Sequence, residues 1–493
     1  MREDVDAPSA FGALAFGKTT REAAAAIIQR FADNSLFRDA SAAEVYIVGN
    51  PYRRPTRLSD NTFIDYASPL NKNTIASNDG LATHRLLLNA YEIDCLFLPS
   101  IFTRPVHRDM NDFYGCENQI NSELARPILE KKAFSFLEDE IEITGNWTPA
   151  SVIAYLQDFK EREDARLQAQ ENDSAILRRL LSCSDQKPCA KHYLVQLASD
   201  FLSEASAMAR FSLGNYGLEQ SELFNILIDE YGRAVYKYKH SRLFENLLHS
   251  IGLSSEIHRY WQFYHASSLM LTNYFHYLGK NKANYFRYLG ALFFTEASLS
   301  NVSRQQALAM RQIFGDSMDV TYFTEHVHID RHHGSMTLER IVRPTLEKYG
   351  TYAAADIVRG FDEFKLLQDL ADRDLLAQIC WIDERQKYSR AAQLIWGRIA
   401  SGELQVPKET FLECFEERST THVHGDHRLV VIESGEMDFW AGVGEPVHLK
   451  AGDAHLVPRH RLHGSVITSQ ECLYHQPVVS DGLLQGVLAE VGI

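Results

Sequence analysis

Histidine is concentrated in two places in this 493-residue chain: of its 20 histidines, four lie between His326 and His333 and eight between His422 and His475. Imidazole is the commonest side-chain metal ligand near neutral pH. Clusters in two differently textured stretches point to two metal sites rather than one. In Phe323-Thr-Glu-His326-Val-His-Ile-Asp330-Arg-His-His333, a helical advance of about 100° per residue places His326, Asp330 and His333 within about 60° of one face. Two imidazoles and a carboxylate on one stripe suit Fe or Mn. His328 and His332 point elsewhere. Without partners, the same stretch reads equally as a solvated, charged helix face.

Partners are present. Leu197, Phe201, Glu204, Ala205 and Met208 fall on one helical face, as do Leu223, Ile226, Leu227, Glu230 and Ala234, so each Glu sits in an apolar stripe. An ionised carboxylate buried alone is very costly unless it is paired or bound to a metal. A buried salt bridge explains either Glu singly. Both together, facing a His/Asp/His stripe, follow the logic of a di-iron carboxylate bundle. His240 lies ten residues beyond Glu230, about 80° off its stripe in a regular helix. It joins the cluster only if the chain bends or bulges, which Gly232 permits.

The second cluster runs Thr421-His422-Val-His424-Gly-Asp-His-Arg428 and on to Gly435, followed by Gly452-Asp-Ala-His-Leu-Val-Pro458-Arg-His460-Arg-Leu-His463. These stretches resemble the two cupin signatures. Residues i and i+2 of a strand share a face, so His422 and His424 both point into the barrel, and His463 comes from a neighbouring strand. Arg428 stands where many cupins carry a Glu ligand, and His460 where glycine is usual. The ligand set is therefore three His, leaving open positions for O2 and a chelating substrate. Three imidazoles on Fe(II) resemble the thiol-dioxygenase type of cupin, and a metal-free binding barrel is the plainer alternative. His427, His448, His455 and His475 read as surface or supporting residues. Tyr474, on the last strand near the barrel mouth, is a candidate catalytic residue that hydrogen-bonds substrate or O2, against the plainer role of a packing Tyr.

Three scaffolds must hold these residues. Residues 1–145 combine a helix-like Arg21–Asn34 with short buried strands at Glu44–Val48 and Ile93–Pro99, separated by Pro- and Asn-rich Gly49–Pro55 and Ser68–Ser77. They read as a small mixed α/β domain without visible chemistry, for which partner contact, namely homodimerisation, is the default. Over 146–400 helical periodicity dominates, opening with Thr148 as a cap and Pro149 at the first helical position. This is an all-α bundle. Over 401–493, β-rich runs at Leu429–Ile432, Met437–Trp440, Val447–Leu449, Ala454–Val457 and Leu473–Gln476 argue for an all-β barrel. The predicted fold class is multidomain α+β.

Composition excludes several classes. At 45% hydrophobic and 23% charged residues the chain is globular, not disordered. Its 50 Lys and Arg against 65 acids leave a net charge of −15, a poor footprint for nucleic acid. Seven scattered Cys suggest a reducing cytoplasm. An acidic N-terminus without an apolar core, and no run of about 18 apolar residues, predict neither a secretory signal nor a membrane span. Cys183-x5-Cys189 with His192 lacks both a common zinc spacing and a fourth ligand. The aromatic stretch Tyr260–Tyr277 reads as bundle core.

Glu204, then Glu230, then His240, and a distant His326-x3-Asp330-x2-His333 resemble the ligand pattern of the haem-oxygenase-like di-iron oxidases. Asp229–Phe244 (DEYGRAVYKYKHSRLF) is similar to that family's second-ligand helix. With a three-His cupin attached, the architecture is similar to the N-nitrosourea-forming di-iron/cupin metalloenzymes of streptozotocin biosynthesis. The resemblance implies two Fe(II) in the bundle on those six residues and one in the cupin on His422, His424 and His463. It also implies O2 as co-substrate, an external reductant, an N-terminal dimerisation domain and a small guanidine or amino-acid substrate. The implied chemistry is double hydroxylation of the guanidine of N-methyl-L-arginine in the bundle, then oxidative rearrangement to an N-nitrosourea in the cupin. Oxidation of another amine, desaturation or cleavage of an amino or fatty acid, and a non-enzymatic cupin sensor are the competing readings.

Overall fold

The computed structural model describes residues 20–38, 50–56, 64–214 and 217–492. The N-terminal part is built on α1 (Arg21–Ala32), α2 (Asn78–Glu92), α3 (Arg104–Phe113) and α4 (Cys116–Phe134). Thr20, Ser77 and Thr103 cap the first three, each hydroxyl accepting a first-turn backbone N–H, which satisfies donors that have no partner within the helix. Every residue of α2 from Gly80 to Glu92 is buried, so this helix is a central strut rather than a surface one.

The strand expected at Ile93–Pro99 does not form, and that at Glu44–Val48 lies outside the described residues; among the described residues this part is helical. Tyrosine hydroxyls take the place of a partner strand. Tyr52 donates to the Phe97 carbonyl (2.5 Å), Tyr114 donates to that of Cys95 (2.6 Å), and the Phe97 N–H donates to Tyr114 (3.0 Å). Leu96 and Leu98 face outward, so part of the run read as a buried strand is surface.

The helical bundle comprises α5 (Pro149–Ala169), α6 (Ala175–Ser182), α7 (Gln186–Phe201), α8 (Leu218–Glu230), α9 (His240–Ser250), α10 (Ala266–Lys280), α11 (Tyr285–Phe314), α12 (Thr321–Met336), α13 (Thr351–Asp383) and α14 (Arg385–Ala400), with shorter turns between. Thr148 and Ser151 form a capping box at the start of α5, with Pro149 in its first turn. The two longest helices, α11 and α13, touch backbone to backbone through reciprocal glycines. A Cβ on Gly290 would lie 1.9 Å from the Ile357 carbonyl oxygen, and one on Gly360 1.8 Å from that of Arg287. Only glycine allows this approach. Trp261, Tyr264 and Tyr274 are fully buried, as a core reading of that aromatic stretch requires. No helix among the described residues is long and apolar enough to cross a membrane.

The C-terminal part is an antiparallel barrel of β1 (Lys408–Cys414), β2 (Arg418–His422), β3 (His427–Ser434), β4 (Glu436–Trp440), β5 (Val447–Lys450), β6 (Ala454–Val457), β7 (His463–Ile467) and β8 (Glu471–Val479), closed by α15 (Asp481–Val491). Its sheets are ordered β1-β8-β3-β6 and β2-β7-β4-β5. Val430, Ile432, Met437, Phe439 and Leu449 belong to the larger core shared with the bundle. The alternate residues Leu429 and Val431 pack outward with Leu456 on α14 and α15. The period-2 alternation along β3 therefore buries both faces.

Candidate metal centres

In the bundle, four short stretches of chain converge on one buried cluster. His326, Asp330 and His333 project from α12 and are at most 1% exposed, while His328 and His332 are exposed. Glu204, Glu230, His240 and His326 each offer a ligand atom within 4.8 Å of the others, and so do Glu230, Asp330 and His333. Glu230 belongs to both groups, so its carboxylate spans two positions.

The local geometry departs from the sequence reading at two ligands. Glu204 is not on a continuing helix: α7 ends at Phe201, and the chain turns through Ala205 at φ +65°. That left-handed conformation is unfavourable for a residue with a Cβ, and here it directs Glu204 inward. Its Oε1 accepts from the Tyr322 hydroxyl (2.8 Å) and lies 3.3 Å from His326 Nε2. The second helix likewise stops at Glu230. Gly232, Arg233 and Ala234 all take positive φ, removing Ala234 from the helical stripe and starting α9 at His240. His240 Nδ1 thereby reaches Glu230 Oε2 at 2.6 Å. A Cβ on Gly232 would meet the Lys239 nitrogen at 2.4 Å, so the bend needs that glycine.

Imidazole orientation is settled by outer contacts. His326 Nδ1–H donates to the Tyr322 carbonyl (2.8 Å), turning Nε2 to the cluster. His333 is reversed: its Nε2 faces Asp229 (3.4 Å), and its Nδ1 faces Glu230 (3.4 Å) and Glu296 (3.3 Å). Carboxylates and carbonyls behind a ligand imidazole fix its tautomer in just this way. Sequence reasoning missed Asp229 and Glu296. Glu296 lies on α11 among buried Leu289, Leu292 and Phe293. It is another carboxylate in an apolar stripe, two residues beyond Phe294.

Charges within the cluster shift one another strongly. Burial pushes the Glu230 carboxyl up, but His240, His326 and His333 override it and hold it at about 2. Burial lowers His240 and His333, yet Glu230 carries the first to about 9, and Glu296 with Glu230 carries the second to about 9. Burial and then the charges of Glu296, Glu230 and Glu204 raise Asp330 well above the carboxylate range. Protons thus occupy places where a cation fits. Glu204 Oε2, His326 Nε2 and Asp330 Oδ2 are buried without a hydrogen-bond partner, an arrangement that calls for an ion or water. The donor set fits iron.

The barrel site is simpler. His422 on β2 pairs in register with His463 on β7, and His424 follows two residues later. Ring centroids are 4.4–5.0 Å apart, and His422 Nε2 lies 3.3 Å from His424 Nε2. His422 Nδ1–H donates to the Thr420 carbonyl and His463 Nδ1–H to that of Arg461, both at 2.9 Å, leaving each Nε2 toward the triad. The two departures from the cupin signatures are accommodated. Arg428 pairs with Glu409 (2.7 Å), and His460 occupies a φ of +62°, the conformation that makes glycine usual there. Tyr474 stacks on Phe411 and donates to Glu413 (3.0 Å). Of the outlying histidines, His448 is exposed on Asp438, His427 and His475 pair with Asp481 and Glu433, and His455 is wholly buried beside Phe439.

A third group, Cys183, Cys189 and Asp383, also gathers within 4.8 Å. Asp383 is already bonded to Arg179 (2.8 Å), Ser184 and Asp185, and His192 instead meets His265 (2.9 Å). A guanidinium at the ligand oxygens opposes a cation there.

Comparison with known proteins agrees with this division. Residues 191–369 match the haem-oxygenase-type family described as iron-containing redox enzymes, and residues 412–474 match the cupin domain family. The chain is similar to the nitrosourea synthase of Streptomyces achromogenes subsp. streptozoticus, with 41% identity over 432 residues, covering 88% of this chain and 90% of that protein. The protein is therefore an iron-binding oxidoreductase of the oxygenase type, and the chain belongs to the nitrosourea synthase family.

Proposed function

We propose that this enzyme N-hydroxylates the guanidine of N-methyl-L-arginine twice in the helical bundle and oxidatively rearranges the product to an N-nitrosourea in the cupin barrel. The observation that carries the reading is the Glu230 carboxylate, shared by two ligand groups in one buried cluster. Two Fe(II) are assigned to Glu204, Glu230, His240, His326, Asp330 and His333, with Glu296 added by its approach to His333. One Fe(II) is assigned to His422, His424 and His463. O2 and an external reductant complete the chemistry.

When bound, the paired metal supplies an oxidant strong enough for a weakly nucleophilic guanidine, and the single metal supplies open positions for a chelating product and O2. The chain's own contribution is orientation. Tyr322 holds Glu204 by its hydroxyl, Asp229 takes the outer nitrogen of His333, and Glu230 spans both positions. Asp330, His240 and His333 release their protons as the metal enters. In the barrel, Tyr474 commits its hydroxyl proton to Glu413 and so offers the substrate an acceptor oxygen. Leu96, Leu98, Ile101 and Phe102, exposed together on the N-terminal part, support homodimerisation there, which light scattering of the wild type and a Leu98→Asp variant tests.

The central test is mass spectrometry of N-methyl-L-arginine incubated with Fe(II)-loaded protein, reductant and labelled O2, beside a His422→Ala variant. A nitroso product from wild type and label-bearing hydroxylated guanidines from the variant support the reading. Unchanged substrate from protein shown to hold iron at both sites overturns it.

A further inference from the structure

The two strands that carry the cupin histidines lose their regular pairing near the triad: the β2–β7 register shifts between Ser419 and His422. The backbone there is held by side chains from outside the barrel. On the β7 side, Leu462 is clasped in both directions by Gln378 of α13. Its N–H donates to Gln378 Oε1 (3.0 Å), and Gln378 Nε2 donates to the Leu462 carbonyl (2.9 Å) and to that of Ala441 (2.7 Å). One helical turn earlier on the same face, Asp374 holds Arg461. The Arg461 guanidinium donates to the Asp374 carboxylate (2.9 Å) and main-chain carbonyl (2.8 Å). Asp374 also accepts from Ser267 (2.6 Å) and faces His265 at 3.7 Å. The Arg461 carbonyl is the group that accepts His463 Nδ1–H.

The β2 side repeats the arrangement with different donors. Arg85, wholly buried on α2, donates to the Thr421 carbonyl (3.0 Å) and hydroxyl oxygen (2.8 Å). The Thr421 hydroxyl donates to the Gln262 carbonyl, and its N–H to Gln262 Oε1 (3.3 Å). Thr421 lies between the Thr420 carbonyl, which accepts His422 Nδ1–H, and His422 itself. Each clasp therefore lies one residue from the carbonyl that sets a ligand's tautomer and tilt.

We propose that Gln378 and Asp374 of the helical bundle and Arg85 of the N-terminal part are positioning residues for the cupin metal, setting the aim of His463 and His422 from outside the barrel. The three-His site is thereby a product of the whole chain and not of the barrel alone. The proposal rests on the triad holding iron. Buried hydrogen bonds of this kind restrict a ligand's approach through geometry, and outer partners of metal ligands typically govern about 10–100-fold in affinity.

The test uses the full-length protein loaded anaerobically with Fe(II) and exposed to nitric oxide, whose mononuclear complex gives a half-integer-spin resonance sensitive to ligand geometry. Gln378→Met removes three hydrogen bonds, Arg85→Met removes the two to Thr421 and a third to the Gln262 carbonyl (3.4 Å), and Arg85→Lys keeps a cationic donor. We expect Gln378→Met and Arg85→Met each to lower cupin Fe(II) affinity by about 10–100-fold and to change the shape of the resonance. Bundle iron content stays as in wild type while the unfolding temperature falls modestly, as lost buried hydrogen bonds require, and Arg85→Lys recovers part of the loss of cupin iron. Variants with wild-type affinity and resonance overturn the proposal. Parallel loss of bundle iron also overturns it, by assigning these residues to folding. Failure of the wild type itself to give the resonance overturns the metal assignment together with the proposal.

Discussion

The two candidate centres solve the problem of buried ligands in opposite ways. In the bundle, carboxylates and imidazoles neutralise one another before any cation arrives: His240 sits 2.6 Å from Glu230, and His333 lies within 3.4 Å of both Glu230 and Glu296. Two of the ligands stand at chain breaks with positive φ, beside Ala205 and after Gly232–Ala234. In the barrel no carboxylate enters the triad. Two of its imidazoles are turned by backbone carbonyls, on strands clasped from outside. The first site is stabilised by internal ion pairs that a metal must rearrange, whereas the second is arranged for metal beforehand. Preorganisation lowers the reorganisation that binding requires, so the barrel is expected to hold iron more tightly than the bundle.

The sharpest way to separate the sites is to remove the shared carboxylate. Glu230→Ala deletes a ligand of both bundle positions and is expected to abolish bundle iron and all hydroxylation while cupin iron remains, as site-resolved metal analysis and product mass would show. Loss of cupin iron in the same variant would break the comparison. His422→Ala is the mirror experiment: cupin iron disappears, bundle iron stays, and turnover stops at hydroxylated products. Glu296→Gln tests the added carboxylate, with an expected loss of about 10–100-fold in affinity at the position near His333 and little elsewhere.

The pH dependence of loading sharpens the contrast further. His240 and His333 keep their protons up to about 9 and Asp330 is raised well above the carboxylate range, so metal entry must expel protons. Bundle affinity should rise with pH and level off near 9, and calorimetry in buffers of different ionisation enthalpy would count the protons released. Equal proton release from both sites would remove the proposed difference. The smallest effect is expected at Thr148→Ala, which strips the cap from α5 and should cost about 1 kcal/mol of stability with both metal contents unchanged.

Much of this was legible from residue spacing. The His326/Asp330/His333 stripe needed only helical periodicity, and α12 supplies it. The pairing of His422 with His463 needed only the cupin spacing and the alternation of a strand. The glycine-deviant His460 is explained by its φ rather than by a ligand role. Less was legible where the chain stops being regular. Glu204 was placed on a helix that ends three residues before it, and Ala234 on one that ends at Glu230. Ile93–Pro99 carried strand-like apolar residues whose backbone is satisfied by tyrosine hydroxyls. Glu296 escaped notice because a lone Glu in an aromatic helix acquires meaning only beside His333.

Local sequence by itself determined which side chains share a face, where α5 begins and which residue types could bind a metal, because periodicity and capping act within a few residues. Tertiary structure decided the rest. It brought Glu296 to His333, bent the chain so that His240 meets Glu230, and set Arg85, Asp374 and Gln378 behind the cupin histidines. The Arg85–Thr421 contact joins residues 336 positions apart in the chain. Such contacts depend on how three packed regions meet, and no spacing rule within one segment carries that information.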